Sequence, residues 1–149
     1  RGRVAIRSPD PLENPRIETN YLTEELDRKT LVAGIRMLRE IYAQPAFRHL
    51  VADEVLPGSQ RQSDTDISEF ARTAGGTVFH PVGTCRMGSD GRAVVDARLR
   101  VQGVVGLRVI DASVMPEMIS SNTNAASIMI GEKGAALIIE DGTTPNYRA

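Results

Sequence analysis

The stretch A-A-S-I-M-I-G-E-K-G-A-A-L-I-I-E, Ala125 to Glu140, limits the possible folds more than any other part of the chain. It reads as a helix, yet it is apolar nearly all round. A helix without a polar face has to be covered on most sides, so the chain must bury this segment rather than lay it on a surface. The residues directly before it, Ser120 to Asn124, are dominated by types that cap helix N-termini. The tail that follows, D-G-T-T-P-N-Y-R-A, is polar and is expected to fray.

Upstream, Val4 to Ile6 is a short β-like run closed by the turn S-P-D-P, and P-R-I-E-T-N-Y-L is a second extended segment. From about Thr23, Leu26, Leu31, Ile35, Leu38 and Tyr42 recur at helical spacing among charged residues. That pattern predicts a core-facing amphipathic helix stopped before Pro45. Pro45 to Leu56 reads as another short helix. S-D-T-D-I-S-E-F-A-R-T-A-G-G reads as a helix capped by Ser63 or Asp64 and ended at Gly75-Gly76. T-V-F is a brief strand. A-V-V-D, L-R-V-Q-G-V-V-G and L-R-V-I-D predict two or three more, separated by glycine turns.

The 149 residues suffice for one domain burying roughly 70% of its unfolded surface. Eighteen Lys and Arg against nineteen Asp and Glu give a net charge of −1, which offers no basic excess for nucleic acid or an anionic membrane. One cysteine forms no internal disulfide, so a secreted, disulfide-stapled scaffold is not indicated. No apolar run reaches the ~20 residues that span a bilayer, and the first residues carry no secretory h-region. The expectation is a cytoplasmic protein, at most peripherally associated with a membrane. The chain does not begin with Met, which suggests a piece of something larger.

Three stretches carry candidate chemistry. F-H-P-V-G-T-C-R-M-G, Phe79 to Gly88, holds one of two histidines and the only cysteine. His80 reads either as a turn histidine fixed by Pro81 or as a general base on a rigid loop. A metal site is disfavoured, because His80 and Cys85 fall short of three or four ligands and His49 has no ligand spacing to them. L-R-V-I-D-A-S-V-M-P places Asp111 at the end of an apolar strand, where open α/β sheets put ligand-contacting groups; a turn-initiating aspartate fits as well. S-S-N-T-N-A puts Asn122 and Asn124 at a helix N-terminus. Such an end is suited to capping and to an anionic ligand group alike.

Together and in this order, the three stretches closely resemble the C-terminal region of glucose–methanol–choline (GMC) oxidoreductases, FAD-dependent alcohol oxidases and dehydrogenases. R-G-R-V-A-I-R-S-P-D-P-L-E-N-P-R-I-E-T-N-Y-L resembles the start of that region, so the likeness covers nearly the whole chain. The resemblance implies an α+β fold of the GMC substrate-binding type, an antiparallel sheet with flanking helices. A last strand and helix would complete an FAD-binding α/β domain that is otherwise missing. It divides the chain into residues 1–106, substrate-binding and including loop 79–88, and residues 107–149, returning to the FAD domain.

His80 matches the catalytic base that accepts the substrate hydroxyl proton as hydride passes to flavin N5. Asn122 matches the second catalytic position, in the choline-dehydrogenase-like branch. Asp111 and Ala112 match contacts to the FAD ribityl and pyrophosphate portion; Asn122, Thr123 and Asn124 match the flavin edge. No metal is implied. The implied partners are a small-molecule alcohol and an N-terminal FAD-binding part, since no G-x-G-x-x-G fingerprint occurs here. The isolated chain is expected to be inactive. The alternatives are a non-catalytic binding or assembly domain that keeps the fold, and a hydrolase using His80 with Cys85.

Overall fold

The computed structural model describes residues 2–143, which divide into two units between Gly76 and Thr77. The polar tail falls partly outside the described residues.

The first unit opens with a two-stranded antiparallel ribbon. β1 (Arg3–Ala5) pairs with β2 (Arg16–Glu18) in the register Arg3↔Glu18, Val4↔Ile17, Ala5↔Arg16. Glu18 holds both strands, pairing with Arg3 across the ribbon and with Arg16 at 2.6 Å. α1 spans Glu25–Tyr42, with Glu25 and Asp27 stabilising its positive N-terminal end. Its face is covered less than the spacing predicts. Val32 is buried and Leu31 and Ile35 are half-buried, but Leu26, Leu38 and Tyr42 are exposed. α1 packs on α3 (Asp64–Ala74), whose Ile67 and Ala71 complete a small core. Ser63 is the cap of α3. Its hydroxyl accepts the Asp66 N–H at 3.1 Å while Asp66 accepts the Ser63 N–H at 3.3 Å, a reciprocal capping box.

The helix expected over Pro45 to Leu56 shrinks to one turn, α2 (Pro45–Arg48). The reason lies on α1. Arg39 grips Glu54 through two bonds, 2.9 and 2.7 Å, and donates to the Arg61 carbonyl at 2.9 Å, so segment 54–61 is held as a loop by a side chain.

The second unit is built from loops around one long helix. The expected T-V-F strand is absent. Residues 87–108 form only isolated bridges, Met87 with Val95, Val95 with Val101 and Arg100 with Arg108, instead of two or three strands. Left-handed backbone at Leu99, Gly103 and Gly106 turns the chain too often for a ladder to extend. A single 3₁₀ turn follows (Ala112–Val114), and then α4 (Asn124–Thr143). The α+β class holds, with the described sheet reduced to the ribbon of the first unit.

α4 corrects the expectation of burial on all sides. Ile130 and Leu137 enter a core with Val95, Leu99, Val114 and Met115. The opposite face, with Ile128, Met129, Ile138 and Ile139, is 49–67% exposed. Only one side of the helix has a neighbour among the described residues. α4 also runs past the expected fraying point, because Asp141 receives hydrogen bonds from Arg98 (2.6 Å) and Arg108. The core joins residues on both sides of the 106/107 division, which concerns the parts of a whole enzyme rather than the packing of this unit. Among the described residues no helix is long and apolar enough to cross a membrane.

Candidate active site

The loop bearing His80 is shaped by three backbone constraints. Phe79 sits in the left-handed region at φ 58°, Pro81 fixes its own φ, and Gly83 turns at φ +84°. Gly83 also lies against the backbone, since a β-carbon there would stand 3.3 Å from the Met115 carbonyl. Past the glycine the loop is laced to the segment following Asp111. The Cys85 N–H donates to the Ser113 carbonyl (3.0 Å) and the Met87 N–H to the Val114 carbonyl (2.8 Å). Asp111 holds the same residue from the other side, its carboxylate accepting the Ser113 N–H at 2.7 Å. Ser113 thus couples the histidine loop to the aspartate. Cys85 is half-buried and serves this lacing through its backbone.

Asn122 and Asn124 lie at the start of α4, where Ser127 donates both its N–H (2.9 Å) and its hydroxyl (2.8 Å) to the Thr123 carbonyl. The amides ahead of Ser127 have no acceptor within the helix and carry its partial positive charge. Asp111, Asn122 and Asn124 are exposed, His80 and Ala112 half-buried, and Thr123 buried. Among the described residues no hydrogen bond occupies the His80 imidazole or the Asn122 amide.

One core brings these stretches together. Val82, Ala112 and Ala126 all pack against the cluster around Val114 and Ile130. They stand two residues from His80, one from Asp111 and two from Asn124. At about 3.8 Å per Cα step, every candidate residue is within a few steps of the same cluster.

Two ion-pair systems escaped the sequence reading, one within a loop that has no helical pattern and one joining residues more than 30 positions apart. Arg86 grips both oxygens of Asp90 (2.6 and 2.9 Å), and this hydrogen bond holds the Asp90 carboxyl below the usual carboxylate range. Arg98 and Arg108 converge on Asp141 and pin the end of α4 to segment 98–108. Burial alone would raise the Asp141 carboxyl. The two guanidinium hydrogen bonds outweigh it and hold the group low. Among the described residues no three His, Cys, Asp or Glu side chains gather as a metal site.

Two clefts, of about 360 and 350 Å³, lie in the first unit on the α1–α3 side. Their cations are already engaged: Lys29 with Glu25, Arg36 with Asp64, Arg72 with Glu69, and Arg28 with the Leu22 and Thr23 carbonyls. Volume there is not accompanied by available chemistry, whereas the candidate residues cluster in the second unit.

A model of the GMC oxidoreductase family matches residues 1–131. The chain belongs to the GMC oxidoreductases. An oxygen-dependent choline dehydrogenase of Escherichia coli O45:K1 (strain S88 / ExPEC) is 49% identical over 149 residues, covering 100% of this chain and 26% of the relative. Among solved structures, a fungal aryl-alcohol oxidase is similar at a TM-score of 0.85 and 32% identity, over 96% of this chain and 24% of that one. An FAD-dependent oxidoreductase from Chaetomium thermophilum is similar at 0.84 and 31%, over 95% and 25%. An alcohol dehydrogenase (acceptor) of Pseudomonas putida is 43% identical over 139 residues, 93% of this chain and 25% of the relative. The chain therefore spans about a quarter of the length of these GMC relatives, and it is choline- and alcohol-dehydrogenase-like.

Proposed function

We propose that this chain serves as the C-terminal part of an FAD-dependent alcohol dehydrogenase or oxidase of choline-dehydrogenase type, which converts a primary alcohol to an aldehyde. The observation that carries the proposal is a coincidence. The three stretches that carry the candidate chemistry are the ones that a single core of the second unit draws together.

His80 takes the substrate hydroxyl proton. His80 is half-buried on a constrained loop and its imidazole is not spent on a described hydrogen bond, which suits a general base. Asn122, exposed beside it in role, holds the substrate oxygen through its side-chain amide. The remaining residues fit FAD by the chemistry of their donors and acceptors. Asp111 commits one carboxylate oxygen to Ser113 and keeps the other for a ribityl hydroxyl. The Ala112 N–H, first of the 3₁₀ turn, faces no acceptor inside that turn. The first amides of α4 and the Asn124 side chain offer donors to an electron-rich pyrimidine edge, with buried Thr123 setting their position. When bound, FAD supplies the acceptor, flavin N5, for the hydride that leaves the alcohol carbon as His80 takes the proton.

The other FAD contacts come from an N-terminal FAD-binding part, and the bare apolar face of α4 supports the need for it. Without that part the chain is inactive. Cytoplasmic location, with at most peripheral membrane association, belongs to the same reading. The test is His80→Ala in the full-length parent or in reconstituted halves. A loss of about 10²–10⁴-fold in kcat/KM with flavin retained is expected, and a change of only a few fold removes the base assignment.

A further inference from the structure

We infer that Thr77 is a positioning residue for His80, an inference that rests on His80 being the base. The observation is a backbone conformation with no support from packing within this chain. Phe79, a bulky residue, is held at φ 58°, where the β-carbon crowds its own backbone and L residues rarely settle. Within this chain its side chain supplies no restraint: Phe79 is 82% exposed and neighbouring Val78 is 75% exposed. One restraint is local: the Phe79 N–H donates to Thr77 Oγ1 at 3.0 Å.

Directly beyond His80, Pro81 locks its own φ and confines the histidine to extended backbone. The histidine is therefore bracketed, by a left-handed residue on one side and a proline on the other. Proline needs no help to keep its side of the bracket. The left-handed residue does, and Thr77 supplies it. Releasing that bond lets Phe79 return to φ < 0, which swings the His80 Cα–Cβ direction while leaving the core around Val114 untouched. Strained backbone that nothing in the core demands is expected where a reacting group has to be aimed.

The experiment uses the flavin-loaded full-length enzyme with Thr77→Val, Thr77→Ser, His80→Ala and the Thr77→Val/His80→Ala double variant. Thr77→Val keeps the shape and removes the acceptor. It lowers kcat roughly 10- to 100-fold, with KM, flavin content and Tm essentially unchanged, as a misaimed base should. Thr77→Ser keeps the acceptor and stays within about two-fold of the parent. In the double variant the Thr77 effect disappears, because there is no longer a base to aim. Thr77→Val within about two-fold of the parent, or single effects that multiply in the double variant, overturn the positioning role. If His80→Ala alone leaves the rate intact, the base assignment itself fails and the Thr77 role falls with it, an outcome distinct from the other two.

Discussion

Gly134 of α4 lies so close to Ile110 that a β-carbon on the glycine would stand 2.4 Å from Ile110 Cγ2 and 2.9 Å from its Cδ1. The helix seats itself over the strand-like segment before Asp111 only because that position has no side chain.

Gly134→Ala therefore pits two effects of opposite sign. Alanine is the better helix former by about 1 kcal/mol, but overpacking costs roughly 1–3 kcal/mol, so the substitution should destabilise. Gly131, one turn earlier, has open space around it, and Gly131→Ala should be neutral or stabilising by up to about 1 kcal/mol. Urea unfolding of the two variants checks this; equal effects would refute the close seating.

The two faces of α4 should respond differently to truncation. Ile130 is 5% exposed, and Ile130→Ala should cost about 2–5 kcal/mol. Ile128 is 60% exposed, so Ile128→Ala should change the stability of this chain by no more than about 0.5 kcal/mol. A large cost at Ile128 in the isolated chain would mean that this face is covered from within.

Acid should loosen the second unit. Asp141 and Asp96 are both held below the ordinary carboxylate range, against a desolvation that works to raise them, by hydrogen bonds from Arg98 and Arg108 and from Arg100 respectively. A depressed folded value means that their contribution is complete above the unfolded value, near 4, and fades as pH falls through the lowered folded one. Tm should therefore drop as pH falls below about 4. Asp141→Asn should lower Tm at neutral pH and shrink that acid-induced drop, which a thermal melt series would show directly.

Gly83 combines φ +84° with the nearby Met115 carbonyl, so Gly83→Ala should cost roughly 1–2 kcal/mol in backbone strain. Gly91, with no neighbour within 4 Å and no positive φ, is the control: Gly91→Ala should be silent. Calorimetry on both variants separates strain from a general loss of glycine flexibility.

What was readable in the chain were the features that local periodicity and capping encode. α1, α3 with its Ser63 cap, the two β segments and the start of α4 all follow from spacing and end signals. The short α2 was not readable, because the competing partner of its continuation, Arg39, sits 15 residues before Glu54. Nor was the breakdown of strands over 87–108, since β-branched runs look alike whether they pair along a ladder or touch once and turn. The candidate residues were legible through ordered motifs alone. Their convergence on one core was not, because Val82, Ala112 and Ala126 are unremarkable apolar residues in sequence.

The lacing of Cys85 and Met87 to Ser113 and Val114 has a consequence for how this loop can vary. Donors two residues apart meet two neighbouring carbonyls, so the side chains at Thr84 and Cys85 can be exchanged while the two N–H groups stay where they are. Adding or deleting one residue between Gly83 and Met87 would turn the wrong amides inward and leave the Ser113 and Val114 carbonyls without these donors. The loop is thus open to spelling changes and closed to changes in length.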